Sequence, residues 1–562
     1  MTERRELTVR AIVTGVLIGA ALTPCNVYSG LKIGWSFNMS ITALLLAYAF
    51  WQPLSRLASV PTWTLHESNI NQTAASSAAS IISGGLVAPI PAYLLLTGET
   101  LDWLPMSAWV FAVSFLGIWV AWYQRPALIE SGRFAFPVGV ATAETIRDIF
   151  REGREASRRL AALLGSLATA AAFKLVDGFW WAVPRWAPTP GMKQLGFALD
   201  PSLLMLGFGA IIGLRAALSL LLGALVAWGA LAPWLIASGV VPSEALAADS
   251  WFQPLVEWLI WPGVALMVTA SLASMASRLR WRWPGRGDAG PAGAWPALGL
   301  AVGAAFAVAL QIALFDIHWS MALLSIPVAF VLASVAARVV GETGIAPIGA
   351  IGKVSQLSFG VVAPGEAVTN LMTANVAGGA AGQCADLLND FKTGHEIGAS
   401  PARQAVAQCF GILCGSLVGS AVFAAMIPDP AGQLLSAEWP APAVAVWKSV
   451  AETLSAGIGS VPSSARAAMA IAAVVGVALG AADRFAGAAA RWLPSGATMG
   501  LAFVIPASTS ITLFCGAALA ALLGRLAPGW SQRFVIATAA GLIAGESLFG
   551  VFLSIASVSG GN

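Results

Sequence analysis

Apolar stretches of about twenty residues recur along the chain, with short polar segments between them. A helix needs roughly twenty consecutive apolar residues to cross the hydrocarbon core of a bilayer, so each stretch predicts one span. The pattern predicts an all-α polytopic integral membrane protein with about 16 transmembrane helices, give or take about two. In the first half the clearest stretches cover residues 9–24, 39–51, 108–123, 160–173, 203–214, 216–238 and 254–276.

The polar segment QCADLLNDFKTGH, residues 383–395, departs most strongly from this apolar pattern. Polar groups beside apolar helices are costly unless they face water, protein or a substrate, so the segment predicts one wall of a transport path. We expect residues 375–386 to lie inside the helix bundle. Residues 389–395 could equally form a loop at the membrane edge, which would make Lys392 a gate or a topogenic charge. The segment contains Gln383, Asp386, Asn389, Asp390, Lys392 and His395.

A second polar segment, HESNINQTAASSAAS at residues 66–80, is rich in small and amide side chains. Such a composition is unusual for a lipid-facing helix and favours a helix buried among others, where small residues allow close approach. Glu67 stands near the start of this segment, and Glu366 heads a similar Asn/Thr/Ala-rich segment in the second half.

Three glycine-rich polar segments predict breaks between apolar helices: NVYSGLKIG (26–34), GETGIAPIGAIGKVSQLSFG (341–360) and SGATMG (495–500). A broken helix frees backbone groups and places helix ends, with their partial charges, inside the protein. The alternative is an ordinary turn outside the membrane. Lys353 and Glu342 favour the functional interpretation for the second segment.

Arginine clusters predict which loops face the cytoplasm. Residues 134–159 and 278–293 are the most basic segments, and Arg4, Arg5 and Arg10 lie near the N-terminus. By the positive-inside rule, both segments and the N-terminus are cytoplasmic.

Composition agrees with a membrane protein: 58% of residues are hydrophobic and only 10% are charged. The net charge of +3 gives no reason to expect nucleic-acid binding. Five cysteines without a C-x-x-C pair predict neither a disulfide framework nor a metal site. The chain lacks the phosphate-binding G-x-x-x-x-G-K-[ST] loop and the hydrolase signatures G-x-S-x-G and H-E-x-x-H, so we expect no catalytic residues, no cofactor and no enzyme activity.

Internal echoes predict a duplication. Pro201 and Pro494, like Gly223 and Gly516, are separated by 293 residues (494 − 201; 516 − 223). Two further echoes follow in the same order: ATAETI against SVAETL, and the Glu67 segment against the Glu366 segment. Together they predict two parallel repeats, as in many transporters, at residues 1–277 and 294–562, with 278–293 as a cytoplasmic linker.

Carboxylates beside apolar helices are candidates for proton coupling, because a carboxylate that exchanges its proton between the two faces can link transport to a gradient. A structural role as a helix cap, or in a pair with a lysine, is the alternative for each of them. The candidates are Glu67, Glu366, Asp386, Asp390 and Glu546, with Glu144, Glu342 and Glu452 as further acidic positions.

Several of these segments resemble the oligopeptide transporter superfamily, which includes the yellow stripe-like metal–chelate carriers. The resemblance runs in order from residue 26 to about residue 550 and departs from the family at FAFPVG (134–139), where a Tyr-Pro-Ser pattern is usual. The segments that carry it are NVYSGLKIGWSFNMSI, ESNINQTAASSAAS, FAFPVGVATAETI, DLLNDFKTGHEIGASPARQAVAQCFG and AAGLIAGESLFG.

The resemblance implies a proton-coupled secondary carrier of small peptides or metal–peptide-like chelates, and it allows a homodimer. Our prediction is a proton-driven importer of short peptides or related zwitterionic compounds, without a cofactor. The short loops and basic cytoplasmic segments suit the inner membrane of a bacterium. Two alternatives remain: a carrier of metal–siderophore or other metal chelates, and a passive channel or lipid-moving protein. The residues expected to line a substrate cavity are Tyr28, Lys32, Asn69, Gln72, Lys353, Asn375, Gln383, Asn389 and Lys392.

Overall fold

The computed structural model describes residues 6–36, 38–57, 60–132, 134–151, 153–241, 251–278, 294–344, 346–457, 459, 461–485 and 493–560. The described residues form helices and contain no β-strand, which confirms the predicted all-α class. Twelve of these helices are long and apolar enough to cross a membrane. The total of about 16 spans stays a prediction, and most of the predicted linker, residues 279–293, lies outside the described residues.

Contacts between Cα atoms divide the chain into two compact units. Unit 1 comprises Met1–Val27, Ser36–Ala161 and Arg280–Met426, and unit 2 comprises Tyr28–Trp35, Ala162–Leu279 and Ile427–Asn562. Each unit therefore draws on both halves of the sequence. The predicted repeat boundaries, at 1–277 and 294–562, describe sequence and not these units, and they stay a prediction.

Among the described residues, unit 1 contains ten α-helices and parts of two more. Helix α1 (Val9–Ile33) contributes residues 9–27, and α7 (Gly153–Leu175) contributes residues 153–161. The other helices are α2 (Ser40–Leu57), α3 (Leu65–Ala79), α4 (Pro89–Thr97), α5 (Trp103–Arg125), α6 (Pro137–Arg151), α13 (Ala294–Phe315), α14 (Trp319–Thr343), α15 (Ile348–Val362), α16 (Ala367–Ile397) and α17 (Pro401–Met426).

Unit 2 holds the remaining parts of α1 and α7 together with the other helices of the chain. These are α8 (Pro190–Gln194), α9 (Leu203–Ile212), α10 (Leu214–Ala224), α11 (Ala232–Ala237), α12 (Phe252–Arg278), α18 (Pro430–Gln433), α19 (Pro442–Ala456), α20 (Ser463–Phe485), α21 (Gly496–Leu501), α22 (Ala507–Leu526) and α23 (Pro528–Gly560).

Within unit 2, two glycine contacts between helices are related by the same offset of 293 residues that relates the sequence echoes. A Cβ on Gly223 would collide with the backbone carbonyl of Met499, and a Cβ on Gly516 would collide with that of Leu206. These contacts are reciprocal, because 223 + 293 = 516 and 206 + 293 = 499. Small residues let helix backbones approach this closely in a membrane, so the two echoed glycines have the same packing role.

The predicted break at residues 26–34 is wrong, because α1 continues as a helix to Ile33 and ends at Gly34, whose φ is +75°. The polar side chains there need no loop. The Thr23 hydroxyl donates to the carbonyl of Ala78 over 3.0 Å, and the Asn26 amide donates to that of Ala79 over 2.9 Å. Polar residues inside α1 thus satisfy backbone groups of a neighbouring helix.

Two other predicted breaks lie elsewhere than expected. Between α14 and α15 the interruption covers only residues 344–347, so Lys353 lies in a helix and not in a break. Residues 496–501 form α21, whose first turn is capped by the Ser495 hydroxyl, and the interruption follows at residues 502–506. The alternative of a loop at residues 389–395 is also wrong, because α16 is continuous to Ile397.

The structure also contains a break that the sequence did not predict. After α3 the chain forms a 3-10 segment, Ser80–Gly84, then turns at Gly85, with φ of +123°, and re-enters a helix at Pro89. Both pieces belong to a single apolar span of residues 65–97, of which 78% of the most apolar window is buried. A helix interrupted in this way exposes backbone groups and helix ends inside the protein.

Candidate functional site

The broken α3 segment packs lengthwise on α16 and forms a contact surface that we call the polar seam. The seam comprises Gln72, Ser76, Ser80, Ser83 and Gly85 on one side, and Asn375, Gly379, Gly382, Asp386 and Asp390 on the other. Residue numbers rise on one side as they fall on the other, so the two segments run antiparallel. The α16 residues are spaced by three or four positions, which places them on one face of that helix. On the other side, Gln72 and Ser76 lie in α3, and Ser80, Ser83 and Gly85 lie in the 3-10 segment and turn that follow it.

Glycines bring the two backbones together in the middle of the seam. A Cβ on Gly379 would meet the carbonyl oxygen of Ser83 at 3.0 Å, and a Cβ on Gly382 would meet the Ser83 side chain at 2.7 Å. The Asn375 side chain packs over Gly85 at the turn and accepts a 2.7 Å hydrogen bond from the indole of Trp109. Asn375 therefore holds the break in place.

Asp390 lies at the seam with only 4% of its surface exposed. Its Oδ1 accepts a 3.0 Å hydrogen bond from Nε2 of Gln72, and its Oδ2 accepts a 3.4 Å bond from the Ser76 hydroxyl. Among the described residues, no lysine, arginine or histidine forms an ion pair with it. A buried carboxylate with neutral partners alone is stable when it carries a proton or holds a cation.

Asp386 lies one helical turn before Asp390 and is partly exposed. Its carboxylate interacts with the side chain of Ser80, at the start of the break. The two carboxylates are close enough to interact electrostatically. The seam thus contains one accessible and one buried acid on the same face of α16.

Asn69 and Gln72 are both fully buried, and their amides contact each other. Nε2 of Gln72 lies 3.4 Å from Oδ1 of Asn69, while Oε1 of Gln72 and Nδ2 of Asn69 have no hydrogen-bond partner. Buried polar atoms without partners are uncommon in folded proteins and mark places where a ligand, water or another arrangement completes the bonding.

The other amides and lysines predicted to line a cavity lie away from the seam. The Gln383 side chain packs beside Gly117 of α5, and neither of its amide atoms has a partner. Asn389 is 8% exposed, and its backbone carbonyl oxygen packs against Gly139 of α6. Lys392 forms a 2.9 Å ion pair with Glu396 on its own helix. This pairing occupies the Lys392 ammonium on its own helix, and its role as a substrate ligand stays a prediction.

Lys353 is buried in α15, with 3% of its surface exposed. A lysine at this depth is costly and marks a functional or paired position in membrane proteins. Its helix packs against α16, so Lys353 belongs to the same unit as the seam.

Two of the acidic candidates occupy helix starts. Glu67 forms a capping box with Thr64 at the N-terminus of α3 and an ion pair with Arg10 at 2.6 Å. Glu366 is exposed at the start of α16 and accepts a 2.7 Å hydrogen bond from Thr369. The contacts of Glu67 are those of a structural cap, the alternative that the sequence left open. Glu366 occupies the N-cap position of α16, but its side chain makes no hydrogen bond to a backbone N–H there.

In unit 2, Tyr28 and Lys32 form an aromatic–cation cluster. The Lys32 ammonium lies 4.3 Å from the ring centre of Trp439 and donates a 2.5 Å hydrogen bond to the carbonyl of Glu438. Tyr28 packs edge-on against the same tryptophan. Trp439 was not identified from the sequence, where it looks like one of many interfacial tryptophans.

Glu546 belongs to α23, in unit 2, and is 5% exposed. Its side chain lies against the N-terminus of α9. It accepts 2.8 Å hydrogen bonds from the Ser202 hydroxyl and from the backbone N–H of Leu204. A carboxylate in this position satisfies free N–H groups and interacts favourably with the helix dipole.

Sequence reasoning found both acids of the seam but missed the hydroxyls that contact them. Ser76 and Ser80 follow Gln72 at intervals of four residues, which is a helical spacing. That periodicity was a usable signal. Among the residues that the structure describes, no group of three or more His, Cys, Asp or Glu side chains could hold a metal ion.

The family model described as "OPT oligopeptide transporter protein" matches residues 6–280 and 292–557. The chain is 23% identical to the "Putative oligopeptide transporter YGL114W" of Saccharomyces cerevisiae, over 97% of the chain and 95% of that protein. It is also 23% identical to the "Metal-nicotianamine transporter YSL2" of Arabidopsis thaliana, over 97% of the chain and 92% of that protein. The "Probable metal-nicotianamine transporter YSL9" of Oryza sativa subsp. japonica matches at the same identity, over 97% of the chain and 89% of that protein.

Proposed function

The chain belongs to the oligopeptide transporter family, and from this we propose that it is a proton-coupled secondary importer of short peptides or related zwitterionic compounds. The observation that carries the proton coupling is the contact of Asp390 with Gln72. A buried acid without a cationic partner, next to a broken helix, has the surroundings that a proton-carrying group needs. Glu67, engaged as a cap and paired with Arg10, and Glu366, exposed at the start of α16, are weaker candidates than Asp386 and Asp390.

The substrate class follows from the chemistry near the break. Amide and carboxylate groups at the seam suit the amide, ammonium and carboxylate groups of a short peptide. We place the protein in the cytoplasmic membrane of a bacterium with its N-terminus inside, because the basic segments favour that orientation. A homodimer is compatible with this assignment.

A second candidate substrate is a metal chelate. The plant relatives are described as metal-nicotianamine transporters. Nicotianamine is itself a zwitterionic amino-acid derivative, and a chelate brings its own metal ligands. The lack of a metal-binding cluster among the described residues is therefore no obstacle to this substrate.

Uptake into proteoliposomes tests these assignments. Labelled di- to tetrapeptides and an iron–nicotianamine complex are offered with and without an inward pH gradient. We expect the gradient to drive accumulation of one class above its external concentration. Flux that ignores the gradient would contradict proton coupling, and no flux of either class would contradict the substrate assignment. A leak of ions or dye would favour the channel alternative.

A further inference from the structure

We propose that Asp390 is a proton-binding site and that its protonation state selects between two orientations of the side-chain amides of Gln72 and Asn69. We call this pair of orientations the switch. The proposal rests on the proposed function, because it names the group that carries the coupling proton. Three observations support it: a mismatch of donors and acceptors, the equivalence of amide positions, and the absence of cationic partners among the described residues.

The first observation is that Nε2 of Gln72 lies near too many acceptors. It is 3.0 Å from Oδ1 of Asp390, 3.1 Å from Oγ1 of Thr73 and 3.4 Å from Oδ1 of Asn69. A carboxamide nitrogen carries two hydrogens, so it cannot donate to all three at once. Meanwhile Oε1 of Gln72 and Nδ2 of Asn69 are buried without a partner.

The second observation is that a half-turn of an amide exchanges its oxygen and nitrogen with little movement of other atoms. After such a turn, Oε1 of Gln72 faces Oδ1 of Asp390 at the same distance. Two oxygens at 3.0 Å require a hydrogen between them. A proton bound to Oδ1 of Asp390 supplies it, and the resulting O–H donates to Oε1 of Gln72.

Asn69 completes the second arrangement. A half-turn of its amide presents Nδ2 to Oε1 of Gln72, which then accepts two hydrogen bonds, one for each lone pair. In either arrangement one atom of each amide lacks a partner, so the two arrangements are closely matched in hydrogen bonds. The proton on Asp390 therefore decides between them. The ionised acid selects the donating nitrogen of Gln72, and the protonated acid selects its oxygen.

The third observation concerns the charges around Asp390. From α3 it meets only the neutral groups of Gln72, Thr73 and Ser76. From α17 the Gln404 amide donates to its backbone carbonyl over 2.6 Å. The titratable neighbour is Asp386, on its own helix.

Cations near the ends of these helices have other partners among the described residues. Lys392 is paired with Glu396, and Arg10 is paired with Glu67. The charged group that acts on Asp390 is Asp386, another acid, and the buried Lys353 of α15 is not among its partners, so a proton can supply the counter-charge.

The switch links the protonation of Asp390 to the group that Asn69 presents to a substrate. In the ionised arrangement the free atom of Asn69 is its nitrogen, a donor, and in the protonated arrangement it is its oxygen, an acceptor. A substrate group that contacts Asn69 would meet a different partner in each state. Proton binding and substrate binding would then depend on one another, as coupled transport requires.

Infrared difference spectroscopy tests the proposal without a known substrate. The full-length protein, labelled with ¹³C-aspartate, is placed in lipid nanodiscs and titrated between acidic and neutral pH. We expect a carboxylic-acid band that titrates, that disappears in Asp390→Asn and that persists in Asp386→Asn. A band unaffected by Asp390→Asn, or no titrating band, would overturn the proton site.

A second pair of variants tests the switch itself. Gln72→Leu should move the midpoint of the band by about one pH unit or more, because it removes both bonding positions of the amide. Gln311→Leu is the matched control, since Gln311 is another fully buried glutamine with a partnerless Oε1. Should Gln72→Leu fail to fold, Gln72→Asn keeps the amide but shortens its reach. Equal midpoints in the Gln72 and Gln311 variants would overturn the switch.

The outcome separates this proposal from the proposed function. A band that titrates in a protein that moves neither peptides nor chelates would contradict the substrate assignment alone. Gradient-driven uptake in a protein without the band would leave transport intact and overturn Asp390 as its proton site.

Discussion

The carboxylate of Glu67 is held by the guanidinium of Arg10 through two hydrogen bonds, from Nε to Oε1 and from Nη2 to Oε2, each 2.6 Å long. The same guanidinium donates to the carbonyls of Pro61 and Thr62 and lies over the rings of Trp51 and Trp63. The pair fixes the loop that leads into α3, and so fixes the start of the seam. A carboxylate bound this firmly is poorly suited to exchange a proton during each transport cycle.

Glu67→Gln should therefore destabilise the protein without changing the pH dependence of uptake per folded molecule. Removing one partner of a pair in which Glu67 is fully buried should cost about 3 kcal/mol. Thermal unfolding in detergent measures the loss. Glu130→Gln is the control, because Glu130 is half exposed in its pair with Arg125 and should cost about 0–1 kcal/mol. A shifted pH profile at normal stability would instead restore Glu67 as a coupling residue.

Glu546→Gln separates a cap from a proton carrier in unit 2. The glutamine oxygen can still accept from the Leu204 N–H, but the bond with Ser202 must reverse, with the amide NH2 as donor, and the negative charge at the helix start is lost. We expect a loss of about 1 kcal/mol in unfolding free energy, typical of a weakened helix cap, with gradient-driven accumulation retained. Accumulation that collapses while exchange of substrate across the membrane continues would identify Glu546 as a coupling acid.

Lys353→Ala should cut transport at least about tenfold, the effect of losing roughly 1.4 kcal/mol of interaction, if the buried lysine contributes to the path. Membrane expression should stay normal. Lys353→Met fills a similar volume without the charge and keeps the test valid if the alanine leaves a destabilising void. Lys448→Ala, which removes a lysine paired with Glu452 on α19, is the control. Poor expression of both Lys353 variants would point to a purely structural lysine.

The reciprocal glycines should respond alike to alanine. Gly223→Ala and Gly516→Ala each place a methyl group against a neighbouring backbone carbonyl, at Met499 and Leu206 respectively. Overpacking of this kind costs about 1–3 kcal/mol. Gly165→Ala in α7 meets no atom within 4 Å and should be neutral or stabilising by up to about 1 kcal/mol. The unfolding temperatures of the three variants test this expectation. An unchanged unfolding temperature for alanine at Gly223 or Gly516 would contradict the shared packing role.

The length of the apolar stretches allowed the fold class to be predicted, the resemblance of several motifs indicated the family, and the density of polar residues pointed to the two seam acids. The sequence could not show which polar residues satisfy one another. Gln72 and Asp390 are 318 positions apart, and no local pattern links them. The same limitation explains the error at residues 26–34. Asn26 looks like a helix breaker until the carbonyl that it contacts, on Ala79, is known.

The true break at residues 80–88 was missed for the opposite reason. Its residues, Ser-Ile-Ile-Ser-Gly-Gly-Leu-Val-Ala, are small or apolar, like the apolar residues that follow them up to Thr97, so composition marks no interruption there. Only Gly85, with its positive φ and the Asn375 amide packed against it, shows why the helix stops there.

The interleaving of the two units has a consequence for synthesis at the ribosome. Unit 1 cannot be completed until residues 280–426 have been made, although its first helices emerge much earlier. At roughly 5–20 residues per second, α3 waits about 15–60 s for the α16 segment that starts about 300 residues later. During that delay the polar face of α3, with Gln72 and Ser76, has no protein partner from the second half. The nascent helix must then be sheltered by the insertion machinery or held near the membrane surface.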